Sequence, residues 1–316
     1  MLEISFITVV GQILLPLALV IRLWRVARSS RVEWFLNAVA VAAYLALIAV
    51  VGIWLLLPWY LPYGLALLAS AATAASWRRS GRPCPPCAVR TRAGFRAGCN
   101  LAAAVFCLAA LAWALRGYLP PGGPAVRLAS PLKNGEFYVV NGGYSILINP
   151  HMKTLEREPL RSYRGQSYAL DIVKLNRYGF RAQGAWPREL TEYEIFGEPL
   201  YAPCDGQVLF TESRRPDQLP PEHDRDHPAG NFVYLKCGDS GVLLAHLMQS
   251  SVGVAPGDLA LKGQQIGRVG NSGYSTEPHL HIHAQRGGGA DFLAADPLPI
   301  EIAGRTLVRN SRIDAR

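Results

Sequence analysis

Apolar residues follow two different patterns along the chain. Up to about residue 117 they form long, nearly uninterrupted runs; beyond it they come in short alternating stretches cut by Gly, Pro and Asp. Four runs approach the ~20 residues that a helix needs to cross a bilayer: Ile4 to Val20, Trp34 to Leu57, Trp59 to Ser76 and Cys99 to Leu115. This pattern predicts an α-helical membrane region of four transmembrane helices over 1–117. A linker over 118–135 is expected next, with "GYLPPGGPAVR" from Gly117 as its Pro/Gly-rich part. The remaining residues, 136–316, are expected to form one mainly antiparallel β domain. Its first hairpin is expected in "EFYVVNGGYSILIN", turning at Asn141-Gly142-Gly143. Further strands are expected at Tyr168–Val173, Gly206–Glu212, Asn231–Lys236, Gly241–Met248 and His279–Gln285. Two polar stretches, Asn176 to Glu198 and Ser213 to Gly230, are expected to be loops bordering a groove. No internal repeat is visible.

Charge orients the helical part. Residues 1–117 hold 11 arginines against two glutamates, and the rest holds 21 basic against 21 acidic residues. Arg22, Arg25, Arg28 and Arg31 follow the first run, and Arg78, Arg79, Arg82, Arg90, Arg92 and Arg96 separate the third from the fourth. Arg-rich connections stay in the cytoplasm, and both do so only if the second and third runs each cross. The expectation is a membrane protein that starts outside, crosses four times and presents its β domain outside the cytoplasm. Glu3, with no basic cluster and no small-residue cleavage site, argues against a cleaved signal peptide. The excess positive charge is thus a topology signal, and nucleic acid is excluded as a partner.

Cysteines divide by compartment. "CPPC" at Cys84–Cys87 lies in the second cytoplasmic connection and is expected to be a turn; a membrane redox role would rest on that one motif. Cys99 and Cys107 are expected to pack within the fourth helix. Cys204 and Cys237 lie where disulfides persist, but spacing alone leaves their pairing open.

The candidate chemistry is in "EPHLHIHAQR", residues 277–286. His279, His281 and His283 alternate with Leu280 and Ile282, so an extended chain puts three imidazoles on one face. An ordinary half-buried strand shows water mixed polar residues, whereas three of the chain's seven histidines at period two point to metal or catalysis. Asp171 in "SYALDIV", His246 in "LLAHLMQ" and the turn "VGNSGYSTEP" are the other carriers.

Taken in order, "ALDIV", "YAPCDGQV", "GNFVYLKCGDSGVLLAHL", "VAPGDLALKGQQIGRVGNSG" and "PHLHIH" resemble the lysostaphin/LytM-type zinc metallopeptidases, over roughly residues 165–300. The resemblance implies a small antiparallel β domain with a groove over Zn2+ and an endopeptidase acting on peptidoglycan peptides. It implies Asp171 and His281 as zinc ligands, His246 and His279 as catalytic histidines, and Asn271, Ser272 and Tyr274 as groove residues. One position departs from the pattern. The family's first ligand is a histidine four residues before the aspartate, and here that residue is Ser167. The candidates to replace it are His151 in "INPHMK", then His283, then His223 or His227 of "EHDRDH"; otherwise no metal is held. The competing function is a metal-free, inactive relative that binds peptidoglycan or a hydrolase and regulates it. A further membrane or cell-wall protein partner has no signature here.

Overall fold

The computed structural model describes residues 8–25, 30–80, 90–287, 289 and 291–315. The CPPC turn, Arg28, Arg82 and the start of the first apolar run lie outside the described residues. Two compact units emerge. One comprises Met1–Ile53 with Trp59–Leu115, the other Arg116–Arg316 with the short segment Trp54–Pro58.

The first unit is helical. After a π-helical turn at Val10–Leu14 come α1 (Leu15–Arg25), α2 (Arg31–Val51), α3 (Leu61–Trp77) and α4 (Arg90–Arg116). Ser30 caps α2 by accepting the Glu33 backbone N–H at 3.1 Å. Gly52 takes an extended conformation and ends that helix, six residues or so short of the expected boundary near Leu57. Among the described residues, two helical segments, Arg31–Val51 and Gly94–Arg116, are long and apolar enough to cross a membrane. α3 has 17 residues and α1 has 11, so the four expected crossings are not equally supported by length. Polar contacts tie the helices together. Arg22 donates to Asn37 and, at 3.0 Å, to Asn100, and the Trp34 indole donates to Ser76 at 2.9 Å.

The second unit is the expected β domain, with corrections at its edges. Its strands are β1 (Val126–Leu128), β2 (Glu136–Asn141), β3 (Leu170–Leu175), β4 (Pro199–Tyr201), β5 (Gly206–Glu212), β6 (Asn231–Cys237) and β7 (Ser240–Leu247). β8 (Leu259–Ala260), β9 (Gln265–Arg268), β10 (Leu280–Arg286), β11 (Pro297–Leu298), β12 (Ile300–Ile302), β13 (Arg305–Thr306) and β14 (Arg312–Asp314) complete them. The main sheet runs β14-β2-β3-β10-β7-β6-β5-β8, with β11 added beside β10, and every pairing in it is antiparallel. β4 pairs with β9, while β12 pairs parallel to β1 and antiparallel to β13. Strand residues Val139, Ile172, Val233, Leu244 and Ile282 join Leu200, Ile266, Ile300 and Ile302 in one buried cluster, which covers one face of the sheet.

Three expectations change. The linker 118–135 is not all linker, because β1 within it pairs with β12 and is held by the apolar side chain of Leu128 in the core. The hairpin at Asn141-Gly142-Gly143 does not form: β2 pairs with β3 and β14 instead. The chain after Gly143, which has φ +99°, folds into a turn in which Ile148 and Asn149 bond back to the Ser145 carbonyl. Fully burying Ile148 outweighs the ladder that an exposed hairpin strand would have made. Finally, His279 precedes β10 rather than lying in it.

Cys204 and Cys237 form a disulfide with Cα atoms 5.9 Å apart, closing a loop with a sequence separation of 33. A loop of that length restricts the unfolded chain by about 3–4 kcal/mol in the chain-entropy account. The double variant Cys204→Ser/Cys237→Ser should lose about that much stability in chemical denaturation, and a reducing agent should destabilise the parent but not the variant.

Candidate metal centre

β3 and β10 are neighbours, and their register sets Asp171 directly opposite His281. On the other flank of β3, a bulge between Val139 and Asn141 sets Asn141 opposite Asp171. Alternation along β10 sends Leu280, Ile282 and Ala284 into the core and His281, His283 and Gln285 to the opposite face. His246, at the end of β7, follows Ala245, the register partner of His281. It has φ +62°, an unusual conformation for a non-glycine residue. Backbone bonds to Ala229 and from Gly270 hold it there. His151 comes from outside the sheet, in a 3-10 turn (Pro150–Met152) that Asn149 caps.

These elements bring together five side chains. Ligand atoms of His151, Asp171 and His281 all lie within 4.8 Å of one another, and so do those of His246, His279 and His281. Asp171 Oδ1 lies 2.9 Å from His281 Nδ1 and 3.6 Å from His279 Nε2, and its Oδ2 lies 3.6 Å from His151 Nε2. Asn141 donates to Oδ2 at 2.8 Å and accepts from buried Arg309, also at 2.8 Å.

Hydrogen bonds assign the ring nitrogens. Backbone carbonyls and a carboxamide oxygen only accept, so a nitrogen bonded to one must donate. His151 Nδ1 donates to Asn149 Oδ1 at 2.9 Å, His246 Nδ1 to the Ser272 carbonyl at 2.9 Å, and His279 Nδ1 to the Glu277 carbonyl at 2.9 Å. Each of these rings therefore turns a bare Nε2 lone pair toward the cluster. His283 Nε2 donates to the Phe292 carbonyl at 3.2 Å, which leaves its Nδ1 to accept from His281 Nε2 at 3.1 Å. His281 accordingly faces Asp171 with Nδ1.

The electrostatics agree with this assignment. Burial pushes His151 down to about 4, partly opposed by Asp171, and pushes His246 and His283 well below the usual imidazole range. Burial works against the charge on Asp171. The neighbouring imidazoles of His151, His279 and His281 outweigh it and hold the carboxyl well below its ordinary range. An ionised carboxylate thus faces imidazole lone pairs, an arrangement that is repulsive unless a cation lies between them. Two imidazole nitrogens and one carboxylate oxygen are a donor set suited to zinc.

Several expected site residues are placed differently from the sequence reading. His283 stands behind His281 and belongs to neither cluster. His223 packs against Tyr274 with ring centroids 4.5 Å apart, and His227 bonds Asp224; neither joins a cluster. Ser167 is fully buried, with its hydroxyl 2.9 Å from that of Thr154. Asn271 and Ser272, expected to line the groove, are fully buried because the turn needs their polar atoms. Asn271 binds the Gln218 carbonyl and Ser275, and Ser272 bridges the Asn231 N–H and the Leu247 carbonyl. Tyr274 alone of the three is exposed, at 53%.

The stretch Ser213–Gly230 is fastened to that turn. Asp217 accepts from Asn271 and Gln249, Asp224 bonds the Gly273 carbonyl, and Tyr274 bonds the Pro228 carbonyl. Gly230, at φ +60°, lets the two segments touch: a Cβ there would sit 2.4 Å from the Ser272 carbonyl carbon. Residues that the sequence reading missed are Asn141, Asn149 and Arg309. Asn149 appeared there only as part of an Asn-Pro turn, and Arg309 lies 168 positions from the asparagine it supports.

Comparison with known proteins agrees with the β domain's features. The sequence profile of peptidase family M23 matches residues 192–291, which include His246, His279 and His281 but neither His151 nor Asp171. Peptidoglycan DD-endopeptidase ShyA of Vibrio cholerae is 29% identical over 151 residues, 47% of this chain; the match spans 30% of that relative's length. Among solved structures, LytU is 25% identical over 32% of this chain and 62% of its own, with a TM-score of 0.24. Lysostaphin of Staphylococcus simulans is 22% identical over 54% of this chain and 50% of its own, with a TM-score of 0.29. Over residues 192–291 the β domain is thus similar to peptidase family M23, the lysostaphin/LytM type.

Proposed function

We propose that this chain is a zinc-dependent endopeptidase of peptidoglycan peptides, held at the bacterial inner membrane with its β domain outside the cytoplasm. The observation that carries the reading is His151. The usual first ligand position holds Ser167, yet a histidine from a separate turn brings its Nε2 within 4.8 Å of the ligand atoms of Asp171 and His281. These three residues hold the metal, and His283 supports His281 from behind. Zinc held there would supply Lewis acidity for a scissile carbonyl and an attacking water.

The chain's own residues move the proton. His246 and His279, with ring centroids 4.8 Å apart, present bare Nε2 atoms beside the ligands. One accepts the proton released as water attacks the peptide carbon and returns it to the departing amine as the C–N bond breaks. The other, once protonated, donates to the developing oxyanion. The carbonyls of Ser272 and Glu277 keep both rings oriented.

Membrane anchoring rests on the helical unit. Leu67, Phe106 and Trp113 turn outward there, more than half exposed, as lipid-facing side chains do. Arginines cluster in the two connections that the charge pattern assigns to the cytoplasm. Four crossings satisfy both connections at once.

The purified full chain should carry near-stoichiometric zinc by mass spectrometry. His151→Ala should lose it, whereas His283→Ala should weaken binding only about tenfold. A well-folded parent that binds no zinc would sink the enzyme reading and leave a peptidoglycan-binding regulator in its place. His246→Ala and His279→Ala should keep the zinc but lower kcat on purified peptidoglycan by about 10²–10⁴-fold. Ser167→His should destabilise the domain by about 1–3 kcal/mol through overpacking of a fully buried site, read as a fall in denaturation midpoint.

A further inference from the structure

The displaced ligand has support of its own, and Asn149 is the centre of it. Asn149 is fully buried. Its Nδ2 lies 2.9 Å from the Gly143 carbonyl, 3.1 Å from that of Ala169 and 3.4 Å from that of Ser167. Its Oδ1 accepts from the His151 backbone N–H at 3.2 Å and from His151 Nδ1 at 2.9 Å. The carboxamide fits only this way round. A flip would set its oxygen against three carbonyls and its amine against a backbone N–H, which is four mismatched contacts at once. The oxygen is therefore fixed toward His151, and an acceptor fixed there requires a proton on Nδ1. Nε2 must then be the bare nitrogen, and Nε2 is the atom that faces Asp171.

Two hydroxyls secure the same turn. The Thr154 hydroxyl donates to the His151 carbonyl at 2.7 Å and lies 2.9 Å from the Ser167 hydroxyl, which itself donates to the Arg164 carbonyl at 2.6 Å. The position where related enzymes carry a ligand here braces the turn that supplies its substitute.

We infer that Asn149 is a positioning residue that sets the ring tautomer of His151 and aims Nε2 into the cluster, with Ser167 and Thr154 fixing the turn's backbone. The inference rests on the reading of His151 as a ligand, and the two fail separately. The experiment uses the detergent-solubilised full chain labelled with ¹⁵N-histidine, together with Zn2+ titrated against a chromophoric chelator. In the metal-free parent, the His151 ring should show a protonated Nδ1 and a bare Nε2. A protonated Nε2 would overturn the inference without any substitution being needed.

Asn149→Ala should weaken zinc binding by about tenfold to a hundredfold and mix the His151 tautomers. Asn149→Asp keeps the acceptor but loses the three donated bonds. It should therefore lower thermal stability while holding zinc affinity within a few-fold of the parent. Parental affinity in Asn149→Ala, alongside a large loss in His151→Ala, would overturn Asn149's role and leave the ligand assignment standing. Parental affinity in His151→Ala would remove both.

Discussion

The register between two strands, β3 and β10, is the constraint on which the rest of the site depends. It sets Asp171 across from His281, and because side chains alternate, it also decides that Leu280 and Ile282 reach the core while the histidines face away. A slip of one residue would turn imidazoles into the apolar cluster and Ile282 toward the polar side chains of the opposite face. Hydrophobic burial on one face therefore holds the polar geometry on the other. β7 on the far side of β10 adds His246 through the same ladder, so the sheet positions three elements of the cluster with one set of backbone bonds.

What the sheet cannot supply, acceptor-only groups do. Three of the cluster's imidazoles are tied by one nitrogen to a backbone carbonyl or a carboxamide oxygen: Ser272 for His246, Glu277 for His279 and Asn149 for His151. The fourth, His281, is tied through His283 to the Phe292 carbonyl. None of these partners can offer a proton, so each ring has one way to be neutral, with its lone pair toward the cluster. Burial keeps His151 and His246 neutral, and the carboxylate remains charged among them. On the proposed reading, a cation would meet donors already aimed at its position, so little reorganisation would oppose binding.

The carboxylate has a second line of support. Arg309 is buried, binds the Val140 and Leu147 carbonyls and orients Asn141, which donates to Asp171. Burial lowers Arg309 to about 10, still high enough to leave it charged at neutral pH. A cation held behind an intervening amide favours the ionised Asp171. This chain of contacts joins the C-terminal segment to β2 and β3, outside the stretch that the family profile matches.

Much of the protein is legible in the sequence because the signals involved are local. Long apolar runs mark helices, period-two alternation marks β10, and the HLHIH spacing places His281 and His283 on one face whatever the chain does elsewhere. The gap at Ser167 is equally visible, since a hydroxyl is a poor zinc ligand in any fold. Which other histidine comes near Asp171 belongs to tertiary structure. His151 and Asp171 are 20 residues apart and meet only because a turn, rather than a hairpin strand, follows Gly143. The burial of Ile148 and the three carbonyls gathered by Asn149 decide that turn, and neither can be seen in a pattern of neighbours. The same limit explains Asn271 and Ser272: their motif marks a turn beside the site, but only packing decides that their side chains hold the turn from within. Sequence determined which residue types carry the chemistry, because chemistry belongs to side chains. Tertiary structure decided which atoms face one another, because that depends on contacts between segments far apart in the chain.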